Sequence, residues 1–173
     1  MLRRWRPFGR DIRGLAAVEF ALIAPVMIIM FYGAVELSSA VDCNSRVSQV
    51  SSTVADLVAQ STTVSSSDTS NIFSAGNAIF YPYASSNAKI VVSSLVADST
   101  GKVTVAWSDA QNTSPRSSVP ANIPSGLISA GGSVIYAEVS YSFTPAISYF
   151  LGSVTLSNNF YSKPRRSTKV THS

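Results

Sequence analysis

Gly14 and Glu19, five positions apart at the head of an apolar run, form the one spacing in this 173-residue chain that suggests a reaction. A charged carboxylate inside a membrane-spanning helix costs ~2.5–3.5 kcal/mol at mid-bilayer and less near the interface. Glu19 therefore either reaches the headgroups or needs a cationic partner. Hydrolysis of the Gly14–Leu15 peptide bond would create such a partner, because Leu15 would become the new N-terminus with Glu19 as the fifth residue. The chemistry indicated is a cleavage performed on this chain.

Elsewhere the residue types that usually carry chemistry are scattered. His172 is the only histidine and Cys43 the only cysteine, so a His/Cys metal cluster has no basis and no internal disulfide can form. Cys43 reads as a small residue on a helix near the membrane, with pairing between chains as the alternative outside the cytoplasm. Ser99-Thr-Gly-Lys102 matches a Ser-x-x-Lys pattern only formally, since it falls in a turn without a companion motif. Gly101-Lys102 lacks the earlier glycine and the following Ser/Thr of a phosphate loop. Asn112-Thr-Ser fits a glycosylation acceptor, and equally a Pro-rich loop. No catalytic, cofactor or metal residues are assigned, and no small-molecule substrate is expected.

The elements that must position Gly14 and Glu19 are a basic leader and a long helix. Residues 1–14 hold five arginines against Asp11, which equals the net +4 of the whole chain, so the remainder is neutral. With no basic face interleaved with aromatics, nucleic-acid binding is not supported. From Ala16 to Val35 only Glu19, Pro25 and Gly33 are not plainly apolar (Tyr32 is amphipathic). A helix of about twenty such residues spans a hydrocarbon core of ~30 Å. The arginines all precede it, so the positive-inside rule keeps the N-terminus cytoplasmic and sends residues 38–173 across, into the periplasm of a bacterium. Pro25 removes one backbone hydrogen bond from the helix. A secretory signal cut near Ser38-Ser39-Ala40 competes, but the apolar run exceeds the usual 7–15 residues. An uncleaved signal anchor competes better.

The string Arg13-Gly14-Leu15-Ala16-Ala17-Val18-Glu19-Phe20-Ala21-Leu22-Ile23-Ala24-Pro25 resembles a prepilin-peptidase site of type IV pilins, and more specifically the TadE/TadG-like proteins of the tight-adherence pilus. The resemblance covers about residues 13–55. It implies a membrane aspartyl prepilin peptidase cutting after Gly14, where a larger side chain would not fit. It implies an ion pair between Glu19, followed by Phe20, and the amine of Leu15 in its own or a neighbouring subunit. Other pilin-like subunits and the pilus assembly machinery are the implied partners.

Past the membrane segment (15–37), Ser38–Gln60 has no Pro or Gly, and Val47, Val50, Val54, Leu57 and Val58 make one helical face. One helix from about Leu15 to Gln60 is expected, its outer half packing on its own domain or on neighbouring subunits. Residues 61–88 read as polar linker and irregular segment, with Ser61–Ser70 a cap-rich loop and Asp68 or Ser70 capping a short helix over Asn71–Ile79. Strands are expected at Lys89–Ala97, Val103–Ser108, Ser133–Thr144 and Ser153–Tyr161, the first two joined by the Asp98–Lys102 turn. In the second strand Val103, Val105 and Trp107 share a face. Ser114–Gly132 is loop, Ala146–Leu151 an apolar linker, and 163–173 a basic tail. The fold class is α+β, a long N-terminal helix packed by a small antiparallel β domain at 89–162. The functional expectation is a minor pilin-like subunit assisting assembly of an adhesive pilus; the alternative is an uncleaved single-pass scaffold or binding protein.

Overall fold

The computed structural model describes residues 14–121, 123–124, 126–145 and 152–173; the basic leader and the Ala146–Leu151 linker lie outside them. A 45-residue helix, α1 (Leu15–Ala59), opens the described chain, with Pro25 inside it. The chain divides into two units, the first ending at Ser39 and the second running Ala40–Ser173.

The second unit is α+β. After α1 come β1 (Thr63–Val64), α2 (Ser66–Ile79), a single 3-10 turn (Ser85–Asn87), β2 (Ala88–Ala97), β3 (Val103–Gln111), β4 (Ser133–Phe143), β5 (Val154–Ser162) and β6 (Thr171–His172). A four-stranded sheet has the order β3-β2-β4-β5 with every neighbour antiparallel. β1 and β6 form a separate parallel pair.

The helical face read from the valines packs inward on the chain's own domain. Val47, Val50, Val54 and Val58 are fully buried, joined by Cys43, Ser51, Ala55 and Ala59, while Leu57 is only half-buried. Period-2 alternation supplies the opposing layer: Ile90 and Val92 of β2 and Ile135, Ala137, Val139, Tyr141 and Phe143 of β4 lie in the same core. α2 adds Phe73 and brings Gly76 against α1, where an added Cβ would stand 3.2 Å from methyls of both Val50 and Val54. Phe80 stacks on Tyr141 with ring centroids 5.2 Å apart.

Four expectations need correction. The loop read over Ser61–Ser70 holds β1 and the first turn of α2, so α2 starts at Ser66 rather than Asn71. Its N-cap is Ser65, not Asp68 or Ser70: the Ser65 hydroxyl accepts from the Asp68 amide while the Asp68 carboxylate accepts from the Ser65 amide, a capping box. In β3 the register steps by one opposite Ser94 and Leu95, pairing Trp107 with Ser94 but Val105 with Leu95. Trp107 therefore faces the core while Val105 answers to the other side. Finally, residues 163–173 are folded into the domain. Val170 is buried, the Trp107 indole donates to its carbonyl at 2.8 Å, and Ser133 Oγ donates to Thr168 O at 2.7 Å.

Candidate functional site

The residues singled out at the N-terminus all fall on the first unit. Gly14 immediately precedes α1, and its carbonyl accepts the first helical bond, from the Val18 amide at 3.1 Å. A Cβ added to Gly14 would meet nothing within 4 Å. Among the described residues there is therefore no steric reason for glycine at this position. Leu15, Ala16, Glu19 and Phe20 are all exposed and helical. Leu15 and Glu19 are four apart, so they share one helix face, and helical side chains lean toward the N-terminus. No acidic side chain occupies the first turn, so the positive end of the helix dipole is left to whatever lies there.

Between Leu15 and Val35 the apolar side chains are open to their surroundings. Phe20, Leu22 and Met30 are each about seven-tenths exposed, and Ala24 is the one partly covered position. Pro25 lacks the amide that would bond the Ala21 carbonyl. A surface so continuously apolar marks a membrane or protein contact. By length and composition α1 is the one helix among the described residues able to cross a membrane.

The second unit holds charged groups that sequence reasoning did not pair. Arg116 makes a bidentate bond to Glu138 at 2.5 and 2.6 Å and lies over the Tyr136 ring. These two residues line an open groove of about 400 Å³, but each already satisfies the other. His172 Nε2 stands 2.9 Å from Asp109 Oδ2, and Arg165 is paired with Asp56. Arg46 donates to Asp42 at 2.9 Å and to the Ile79 carbonyl, while the Tyr83 hydroxyl donates to Asp42 at 3.1 Å. The Arg46 bond, followed by that of Tyr83, holds the Asp42 carboxyl below the usual range. Burial, reinforced by Asp42, pushes the Tyr83 phenol up to about 12. Burial likewise raises the Cys43 thiol to about 11, and its side chain is wholly covered. Among the described residues no group of three His, Cys, Asp or Glu side chains is placed to hold a metal. The Ser99–Lys102 segment is turn structure around Asp98, whose carboxylate accepts from the amides of Thr100 and Lys102. The Asn112 amide nitrogen donates to the Ala88 carbonyl at 2.8 Å.

Comparison with known families finds a match to the family described as TadE-like protein, over residues 14–56. That N-terminal stretch is similar to this family. The match opens on Gly14 and follows α1 to Asp56, so it takes in the exposed apolar stretch and most of the buried valine face. The TadE-like resemblance read from the Gly14–Pro25 string is therefore supported on the same residues. No curated protein and no solved structure matches the chain.

Proposed function

We propose that this chain is a minor pilin-like subunit assisting assembly of an adhesive, Flp/Tad-type pilus. Its maturation is cleavage of the Gly14–Leu15 bond by a prepilin peptidase. The observation that carries this reading is the TadE-like match, which begins at the glycine ahead of an uncovered apolar helix. The glycine fits the reading because none of the described residues around it calls for the absence of a side chain. Its demand comes from outside the chain, at the active site of the peptidase.

Cleavage changes the electrostatics of the segment. The Leu15 amide becomes an ammonium four residues before Glu19, and the carboxylate that burdened the helix gains an opposite charge on its own face or across to a neighbouring subunit. The chain sits in the bacterial inner membrane with its N-terminus cytoplasmic and residues 38–173 periplasmic, where it assists pilus assembly alongside other pilin-like subunits. The chain itself performs no catalysis, binds no cofactor and reads no nucleic acid.

Intact-mass and N-terminal peptide mass spectrometry of the membrane-extracted protein tests this. The expected mature N-terminus is Leu15. An N-terminus at Met1 supports the uncleaved-anchor reading, and one after Ala40 supports a secretory signal; either overturns the proposal.

A further inference from the structure

Within the unit that begins at Ala40, the course of α1 to Ala59 sorts the strand and helix ends into two groups. α2 returns to the Ala40 end, where Arg46 donates to the Ile79 carbonyl at 2.9 Å and the Tyr83 hydroxyl donates to Asp42 at 3.1 Å. Tyr83 meets Phe143, the last residue of β4, with ring centroids 6.2 Å apart, and Phe143 pairs with Val154, the first of β5. At the other end the Arg165 amide donates to the Ala59 carbonyl, and the Asp98–Lys102 turn joins β2 to β3. The two ends differ in character. Asp98, Lys102, Lys163 and Arg165 stand at the Ala59 end, whereas Phe80–Asn87, the turn at the Ala40 end, has no charge. The charges that α1 brings to it, Asp42 and Arg46, are paired with each other. The next charge in sequence is Lys89, a cation that lipid phosphates accept. This turn is pinned on both sides of Tyr81: by Arg46 at Ile79, and by Asp42 at Tyr83 and the Tyr141 hydroxyl at the Ala84 carbonyl. Tyr81 itself is 79% exposed, more than any other large apolar side chain among the described residues. A turn fixed so firmly, with an aromatic ring held out from it, is built for a contact.

We infer that the Phe80–Asn87 turn docks on the lipid surface, with Tyr81 at headgroup level as a second anchor besides the apolar span. The inference rests on the reading of α1 as membrane-spanning. Ala40 follows Val35, the end of the apolar stretch, by five residues, a reach of at most about 18 Å however the chain runs. Ala59 stands about 28 Å further along α1 at 1.5 Å per residue. The chain therefore tethers the Ala40 end, and not the charged one, next to the bilayer. The same reach decides between lipid and protein as the occupant. A folded domain of ~100 residues has a radius of gyration of ~13 Å, and so does not fit into the gap. Tyrosine suits the headgroup depth because its ring is apolar while its hydroxyl stays hydrated, and Tyr and Trp are enriched there. A second contact gives the domain one orientation toward the bilayer, which a single span does not. The contact does not depend on cleavage at Gly14.

The test uses the full chain in phosphatidylcholine/phosphatidylglycerol nanodiscs. A nitroxide is placed on Ser86→Cys in the turn, on Ser99→Cys at the opposite end, or on Met27→Cys in the apolar stretch. All three positions are exposed, and the native Cys43 is buried. Power saturation compares access of oxygen, which partitions into lipid, with access of a water-soluble nickel chelate. The oxygen-to-nickel ratio at Ser86→Cys should exceed that at Ser99→Cys several-fold, and adding Tyr81→Asp should bring it down to the Ser99→Cys level. Equal ratios at these two positions, with an oxygen-favoured Met27→Cys label, overturn the inference and leave the span standing. A Met27→Cys label without oxygen preference overturns the span and the inference together. A Ser86→Cys label shielded from both reagents means protein on the turn and overturns the inference, as does a ratio indifferent to Tyr81→Asp. Should Tyr81→Asp fail to fold by circular dichroism, Tyr81→Ser takes its place.

Discussion

Gly76 shows how much a single missing side chain arranges. α2 approaches α1 there closely enough that a Cβ would press on Val50 and Val54, whose β-branched side chains have little rotamer freedom to yield. Gly76→Leu should lower the unfolding free energy by about 1–3 kcal/mol in denaturant titration, the usual range for overpacking. Ser65→Ala removes the N-cap of the same helix and should cost about 1 kcal/mol. Protonation acts at neighbouring points. Hydrogen bonds from Ser65 hold Asp68 below the usual 3.8, and the Thr100 hydroxyl does so for Asp98. A carboxylate depressed in the folded state stabilises it above its unfolded pKa of about 3.9, and that contribution fades as pH falls through the lower, folded value. Stability should therefore decline below about pH 4, and the decline should be shallower in Asp68→Asn/Asp98→Asn. Cys43 is the opposite case. With its thiol covered and its pKa raised to about 11, it should resist maleimide at pH 8 in the folded protein and react once denatured. The interchain disulfide open to this cysteine on sequence grounds is thus blocked by its burial.

Among the elements, the valine stripe of α1 and the alternation in β4 were legible because burial on one side imposes a period on the sequence. The capping box was written there too, as Ser65 with Asp68 three residues on, but a run of serines and threonines offers several caps and local pattern does not rank them. The step in β3 was invisible. Val103, Val105 and Trp107 alternate cleanly, and only pairing against Ser94 and Leu95 reveals the extra residue. The C-terminal segment was equally opaque, since Val170 is one apolar residue among charged and polar ones. Removing residues 167–173 should expose Trp107, shift its emission to the red, and destabilise the domain. Burial of Val170 alone contributes about 1.5–3 kcal/mol.

For the molecule as a whole, the proposed function makes α1 a member of two environments. Its first part, up to Ser39, offers apolar side chains outward, and its continuation from Ala40 is the backbone of a folded domain. The protein should remain with membranes through an alkaline carbonate wash. Gly14→Val should accumulate as the longer, unprocessed form while the Trp107 emission and the melting transition of the β domain stay as in the wild type, since a Cβ at Gly14 would meet none of the described residues within 4 Å. An anchor that is never cut would show no change in length.

By itself the sequence determined what depends on neighbours along the chain: the apolar span with Glu19 inside it, the Gly14–Glu19 spacing, the helical valine face and the turns at Asp98 and Gly101. Each follows from local periodicity or from the backbone freedom of one residue. Tertiary structure decided what depends on which surfaces meet: the enclosure of Cys43, the face taken by Trp107, the docking of β6 beside β1, and the strand order β3-β2-β4-β5. Strand order and edge exposure are set by long-range pairing, for which the sequence carries no spacing to read. Gly14 stands at the join between these two kinds of information. Its place ahead of the helix is plain from sequence, and only the tertiary structure shows that a Cβ there would meet none of the described residues within 4 Å.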